Sequence, residues 1–353
     1  MNGVELSERE IVACIRAAYG LNVASVQALA LGADFNARVF QVVAENGSQS
    51  YFLKVRNTAA NEASVAIPHF LYSRGIRQVL AAIPTKGGGL ASTCRGYQLV
   101  LYPFLAGHVA MEVGLTAEQW TELGVALKAV HSLRLPDNLL QLMEREAYSP
   151  EFRVQAAGFL RRVLAGVYDH GACRGWAELL RSRKGEIEHM ISRAEELAGA
   201  LASGGERPFV VCHADLHKWN IQVGPGGELL VLDWDSLKLA PKECDLMYIG
   251  GNIGGYKGDV AEEASFYRGY GDTRVDPLAL TYYRYERIVT DVALYCQEVW
   301  EHPGVTAEAC DQIVRNVAGN FMPGGELEAA RRADAWLGDS KRSGSSSAWG
   351  GRS

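Results

Sequence analysis

The sequence has no apolar run of the roughly 18 residues that crossing a membrane requires. Its start, MNGVELSERE, lacks the basic stretch and apolar core of a secretion signal. Neither membrane spanning nor secretion is therefore predicted, and a cytoplasmic location is expected. There is no C-x-x-C pair. The seven cysteines, Cys14, Cys94, Cys173, Cys212, Cys244, Cys296 and Cys310, are odd in number and widely scattered, which argues against a zinc or dithiol site and for reduced thiols in the core. Positive charge is scarce, with 35 Lys and Arg against 41 Asp and Glu and a net charge of −6. Nucleic-acid binding draws on clustered Lys and Arg, so no nucleic-acid partner is expected, and a cationic small ligand suits the balance better. Also missing are the G-x-G-x-x-G loop of protein kinases and the G-x-S-x-G elbow of serine hydrolases.

What is present is an ordinary globular composition of 353 residues, 48% hydrophobic and 22% charged, enough for one large or two modest domains. Ser7-Glu8-Arg9-Glu10 followed by Ile11, Val12, Ile15 and Ala18 predicts a capped amphipathic helix over 7–19. Over 23–56 the period becomes that of strands, VQALAL, ARVFQVVA and SYFLKVR, the last two joined by an ENGS turn. A helix is expected from near Asn61, carrying Glu62, Val65, Ala66, Phe70 and Leu71. Strands follow at VLAAIPT and YQLVLYPFLAG, separated by a flexible KGGGLAST. Beyond Gly107 the pattern is helical, with Trp120, Leu123, Leu127 and Val130 on one face behind a Thr116 N-cap. Further helices are expected over 150–168, 183–202, 243–249, 260–270, 276–301 and 305–335. One hairpin interrupts them, formed by VVCHADLHKWNIQV and LLVLDWD around GPGGE. These boundaries give a β-rich domain over 1–105, a mainly helical one over 106–335 and a Gly/Ser-rich tail over 336–353 that is expected to be disordered.

The hairpin carries the chemistry. His213, Asp215 and Asn220 fit H-x-D-x-x-x-x-N between two strands, and Asp233 ends the strand that follows. Phosphoryl transfer to an alcohol needs a carboxylate for the hydroxyl proton, oxygen ligands for magnesium and cations against the phosphates. Asp215 fits the first need. Asn220 and Asp233 fit the second, because magnesium takes hard oxygens and keeps several waters. The competing reading is a turn whose Asp and Asn cap backbone groups. Lys54 lies in a strand among apolar neighbours, where an ammonium needs a partner. Glu62 in the next helix could be that partner, while an edge lysine on a half-exposed strand explains Lys54 as well. Gly32 and Asn36 stand in a turn that could lie over phosphates. In LYPFLAG, Pro103 removes one N–H and leaves the backbone of Tyr102, Pro103, Phe104 and Leu105 for an adenine edge, and a plain strand end is an equal account. Cys212, His213 and His217 raise zinc, but the flanks are strands and no third ligand is evident.

With Lys54, Glu62, the 102–105 stretch, HADLHKWN and LDWD in this order, residues 10–330 resemble the aminoglycoside phosphotransferase family. The resemblance implies an α+β, bilobal protein-kinase-like fold with a small β-rich N-lobe and a larger, mainly helical C-lobe. It implies ATP and Mg2+ as cofactors, Lys54 on the α/β-phosphates braced by Glu62, and Gly32 and Asn36 in the nucleotide loop. It also implies adenine held at Tyr102 to Leu105, Asp215 as base, and Asn220 and Asp233 on magnesium. More narrowly, GADFNARVF, SYFLKVR, SRGI, LYPFLAG, LDWDSLKLAPKECDLMYIGG and YYRYERIVTDVALY are similar to the branch of that family that acts on spectinomycin. That likeness implies phosphorylation of the antibiotic's 9-hydroxyl, with resistance as its consequence, by a monomer or homodimer.

A ligand with two secondary amines calls for carboxylates that magnesium does not occupy. Asp235 and Glu286 are candidates, as are Asp291, Tyr295 and Glu298, which fall at i, i+4 and i+7 of one predicted helix. Arg287, four residues before Asp291, could instead claim it in an intrahelical pair. Trp234 and Tyr295 could stack on the fused rings or simply belong to the core. Three other functions stay open: a kinase of another small alcohol, of the choline, homoserine, methylthioribose, streptomycin or hygromycin type, an inactive nucleotide-binding module, and a hydrolase that needs no ATP. The joint presence of Lys54, Asp215, Asn220 and Asp233 weighs against the second.

Overall fold

The computed structural model of the chain describes residues 6–29, 37–45, 47, 49–56, 62–168, 173–251, 259–301 and 305–343. In chain order its first elements are α1 (Glu8–Tyr19), β1 (Val23–Leu29), β2 (Ala37–Ala44), β3 (Ser50–Arg56), α2 (Ala63–Ser73), β4 (Ser92–Cys94), β5 (Tyr97–Pro103) and β6 (His108–Val109). Helices α3 (Ala110–Val113), α4 (Ala117–Ser132), α5 (Asp137–Leu140), α6 (Glu151–Leu164), α7 (Arg174–Ser182) and α8 (Lys184–Ser203) come next. The short strands β7 (Val210–Cys212), β8 (Ile221–Val223), β9 (Leu229–Val231) and β10 (Lys238–Ala240) precede α9 (Glu243–Leu246), α10 (Val260–Tyr270), α11 (Pro277–Glu301), α12 (Ala307–Asn320) and α13 (Glu326–Ser343).

The chain forms two compact units, and their boundary is not the linear one expected near 105. The first unit is Met1–Leu115, Ser132–Glu144 and His213–Leu237, and the second is Thr116–His131, Arg145–Cys212 and Lys238–Ser353. The motif segment belongs to the first because β8 pairs with β6, His108 opposite Val223, and Val79 bridges to Val231.

In the first unit an antiparallel sheet has the order β1-β2-β3-β5-β4. The period of two in β3 buries Tyr51, Leu53 and Val55, which pack with Ile11 and Ile15 of α1. Lys54 and Arg56 therefore point from the opposite face. Helix α1 starts in the expected capping box, Glu10 N–H donating to Ser7 Oγ and Ser7 N–H to Glu10 Oε2, and it stops at Gly20 in the left-handed conformation. VLAAIPT is not a strand of the sheet. It runs extended with the single bridge at Val79 and a bond from Ile83 N–H to the Leu101 carbonyl. The fifth strand is instead β4, just past the glycines read as flexible, where Thr93 pairs with Gln98.

The second unit is helical around α11, whose Ile288, Val289, Val292, Ala293 and Cys296 are buried where α6, α8 and α13 pack against it. The Thr116 cap forms: its Oγ1 accepts the Gln119 N–H at 3.2 Å, and the Gln119 side chain accepts the Thr116 N–H. Helices α4 and α10 cross at Gly124 and Gly269, where a Cβ on either would strike a backbone carbonyl, of Phe266 or Thr121 respectively. The single helix expected over 305–335 is two. Pro323, Gly324 and Gly325 separate α12 from α13, with Gly324 at φ 78°. Helix α13 runs to Ser343, so 336–343 is helical rather than disordered, and Leu337 is buried there. The expectation of seven reduced thiols is also corrected: Cys14 bonds to Cys94 and Cys173 to Cys310, across 80 and 137 residues. Cys212, Cys244 and Cys296 are free and buried. Among the described residues no helix is long and apolar enough to cross a membrane.

Candidate active site

Strand β7 ends at Cys212, and the chain turns through His213, which is fully buried. The imidazole ties the turn together. Its Nδ1 accepts the Asp215 N–H at 3.2 Å, so Nε2 carries the proton and donates to the Leu232 carbonyl at 2.7 Å. The next residue, Ala214, has φ 65°, a left-handed value that a non-glycine residue holds only where its surroundings enforce it.

The half-buried Asp215 carboxylate is held from two sides. One oxygen lies 3.3 Å from His217 Nε2, and the other accepts Asn220 Nδ2–H at 3.1 Å. Asn220 also donates to the Asp215 carbonyl at 2.9 Å. Both contacts use the amide nitrogen and leave Asn220 Oδ1 as an oxygen donor. His217, an unexplained loop residue from the sequence alone, thus orients the candidate base. Trp219 is exposed.

Asp233 stands at φ 53°, ψ 71°, a second strained non-glycine position in the same site. Its side chain is 49% exposed and pairs with Lys54 Nζ at 3.1 Å. Lys54 also pairs with Asp235 at 2.6 Å, and Arg56 bonds the same Asp235 oxygen. Crowding among protein atoms raises the Asp233 pKa; Lys54 opposes this and the neighbouring Asp235 carboxylate adds to it. Burial also opposes ionisation of Asp235, but Lys54 and Arg56 outweigh it and hold its pKa at about 2. Two carboxylates thus share one lysine, with Asp233 the less neutralised of the two.

Several expected roles are placed differently. Lys54 does pair with carboxylates, but they are Asp233 and Asp235, whereas Glu62 is exposed at the start of α2. Arg56 was missed, although the period of two along SYFLKVR put it on the same face as Lys54. Trp234 is buried, with its ring against His213 and its Nε1–H donated to the Val231 carbonyl at 3.0 Å, so it is a core residue rather than a stacking platform. Asp235 is committed to Lys54 and Arg56, not held ready for an amine. At the strand end, Phe104 N–H bonds to the Ser50 carbonyl, and the Leu105 carbonyl accepts Gln222 Nε2–H. Tyr102 and Pro103 continue β5 opposite Phe52 and Tyr51. Gly32 and Asn36 lie outside the described residues.

In the second unit Glu286 is buried against Arg153 at 2.6 Å, and burial raises its pKa despite that partner, so it is not a spare carboxylate. Asp291 pairs with Arg287 at 3.0 Å, the intrahelical alternative. Tyr295 is half-buried and feels the charges of both Asp291 and Glu298, so the three do share a helix face. The zinc question is answered by different residues: near Cys212 the ligand-type atoms are those of His131 and Asp245. His131 already bonds Asp245 at 2.9 Å and Tyr270 at 2.8 Å, which makes the group a hydrogen-bonded network.

A held carboxylate, an amide oxygen and a second carboxylate paired with a strand lysine, on a sheet-plus-helices scaffold, are the groups that phosphoryl transfer to an alcohol calls for. The chain belongs to the phosphotransferase enzyme family, whose model matches residues 27–282. It is similar to the crystal structure of spectinomycin phosphotransferase APH(9)-Ia in complex with ADP and spectinomycin. The identity is 28% and the TM-score 0.85, over 94% of this chain and 99% of that one. The AMP-bound complex of that enzyme is similar at 27% identity and TM-score 0.80, over 92% and 98%. A microcompartment-associated aminopropanol kinase shares the fold at 16% identity and TM-score 0.57, over 94% and 99%. No curated protein sequence matches the chain.

Proposed function

We propose that this protein transfers the γ-phosphoryl group of ATP to the 9-hydroxyl of spectinomycin and thereby confers resistance to it. The observation that carries the reading is the Asp215 carboxylate, fixed by His217 and Asn220 in the same unit as the Lys54–Asp233 pair. Likeness to a spectinomycin kinase over 94% of the chain supports the choice of acceptor.

Asp215 takes the hydroxyl proton as the acceptor oxygen bonds to phosphorus, and ADP departs. Lys54 balances phosphate charge, for which it must exchange one of its two carboxylates. The donor set fits magnesium. Asn220 Oδ1 and Asp233 are hard oxygens, and the Asp233 side chain is 49% exposed. Asn220 and Asp233 would hold Mg2+, which supplies charge neutralisation of the phosphates when bound. For the antibiotic's amines, Glu298, with Tyr295 beside it on the same helix face, is the proposed contact.

The test is phosphate transfer from ATP with Mg2+ to spectinomycin, streptomycin, hygromycin B and choline, with products read by mass spectrometry. Spectinomycin is expected to gain one phosphate. Turnover of only another acceptor would overturn the spectinomycin reading and keep the phosphotransferase one.

A further inference from the structure

Asp215 and Asp233 both sit in one segment, His213–Leu237, which leaves the second unit at Cys212 and returns to it at Lys238. These two residues face each other at the first rung of the β7–β10 ladder, followed by Leu239 opposite Val211 and Ala240 opposite Val210. Three rungs form a short strand pair, and a slip of one residue would move one end of the segment by about 3.3 Å against the other.

A side-chain lock sits on that first rung. Lys238 Nζ pairs with Glu146 Oε2 at 2.8 Å, and the Glu146 side chain is only 8% exposed, so water does not readily replace the ammonium as its partner. Glu146 is itself fastened to β10, its N–H donating to the Leu239 carbonyl at 2.8 Å beside a bridge from Arg145 to Leu239. Glu146 Oε1 accepts the Tyr148 N–H at 2.8 Å, holding Tyr148 at φ 54°, and Tyr283 of α11 donates to Oε2 at 3.4 Å. Burial works against the Lys238 ammonium, yet Cys244 and Glu146 hold its pKa above the ordinary value. The transfer chemistry itself uses neither residue.

We propose that the Glu146–Lys238 pair is a positioning device for phosphoryl transfer: it fixes the register of the β7–β10 ladder and through it the spacing of Asp215 and Asp233. This role rests on the phosphotransferase chemistry, not on which alcohol accepts the phosphate. Neither residue touches a reacting atom, so the pair acts only through the segment it anchors.

The test compares full-length wild type with Lys238→Met, Glu146→Gln and Lys238→Arg. The readouts are kcat and KM for ATP, ADP affinity by calorimetry, and amide hydrogen exchange by mass spectrometry. Lys238→Met and Glu146→Gln are each expected to lower kcat by about tenfold or more, since small misplacements of reacting groups are costly. ADP affinity should stay within about twofold, and exchange should quicken in 213–237 but not in α11. Lys238→Arg keeps the charge and is expected to recover kcat to within about threefold. Should Lys238→Met fail to fold, Glu146→Gln, which keeps the side-chain shape and an oxygen for the Tyr148 N–H, carries the test. A kcat per folded molecule within about twofold of wild type, or exchange quickening equally in α11, overturns the role and leaves an ordinary structural ion pair. If wild type leaves spectinomycin untouched, the acceptor reading fails separately, and the same variants are compared by ATP hydrolysis with water as acceptor.

Discussion

The turn from His213 to Asn220 and the α11 face from Glu286 to Glu298 are both rich in polar side chains, yet the protein uses their charges in opposite ways. In the turn, the Asp215 carboxylate is oriented by an imidazole and an amide. On the helix, Glu286 and Asp291 are matched with Arg153 and Arg287, which consume the charge locally. The same residue type is thus held by an imidazole and an amide in one place and by arginines in the other. The partner decides, because an arginine beside a carboxylate favours its ionised form while blocking its approach to a substrate cation.

The sharpest way to break this comparison is Asp215→Ala. It is expected to lower kcat by about a thousandfold, the range for losing a general base, while ADP binding stays near wild type. Near-full activity would remove Asp215 from the chemistry and erase the distinction between the two regions.

The second test sets two carboxylates of α11 against each other. Glu286→Ala leaves the Arg153 guanidinium with the exposed Glu195 and the Tyr148 carbonyl. It is expected to cost about 2–3 kcal/mol of stability, less than a fully stranded charge, with little change in KM for spectinomycin. Glu298→Gln is expected to do the reverse, raising that KM several-fold, about 1 kcal/mol, with a smaller loss of stability than Glu286→Ala. A large KM effect from Glu286→Ala at equal folded fraction would move Glu286 back into the acceptor site.

The smallest expected effect concerns pH. Asp235 has a folded pKa of about 2, below the roughly 3.9 of an unfolded aspartate. A depressed carboxylate stabilises above its unfolded value and loses that contribution as pH falls through the folded one. Asp233 is shifted the other way and opposes this at neutral pH. Asp235→Asn should therefore melt slightly below wild type at neutral pH, with the gap closing as pH drops from about 4 towards about 2. A gap that stays constant over that range would show that Lys54 and Arg56 do not depend on the Asp235 charge.

Much of the architecture was legible because it rests on short-range pattern. Ser7 with Glu10, Thr116 with Gln119, and the alternation through SYFLKVR each need only a few neighbouring residues. The errors fall where distant residues intervene. VLAAIPT has strand composition, but it makes one bridge to Val231 and lies outside the sheet order. The break between α12 and α13 was written in Pro323-Gly324-Gly325, a stop signal that the expectation of one long helix passed over. The two disulfides span 80 and 137 residues, and no spacing rule foretells such partners.

By itself, the sequence determined that Asp215 and Asn220 share one turn, because five residues of chain cannot carry them far apart, and that Lys54 and Arg56 share one strand face, because the strand period is two. Only the tertiary structure decided that Lys54 and Arg56 meet Asp235, 181 and 179 positions away, and that Glu286 is spent on Arg153, 133 positions away. It also decided that Trp234 closes over His213 instead of facing a ligand. Side-chain spacing along a turn or strand is fixed by local geometry, whereas the partner of a charge is fixed by which elements the core brings together.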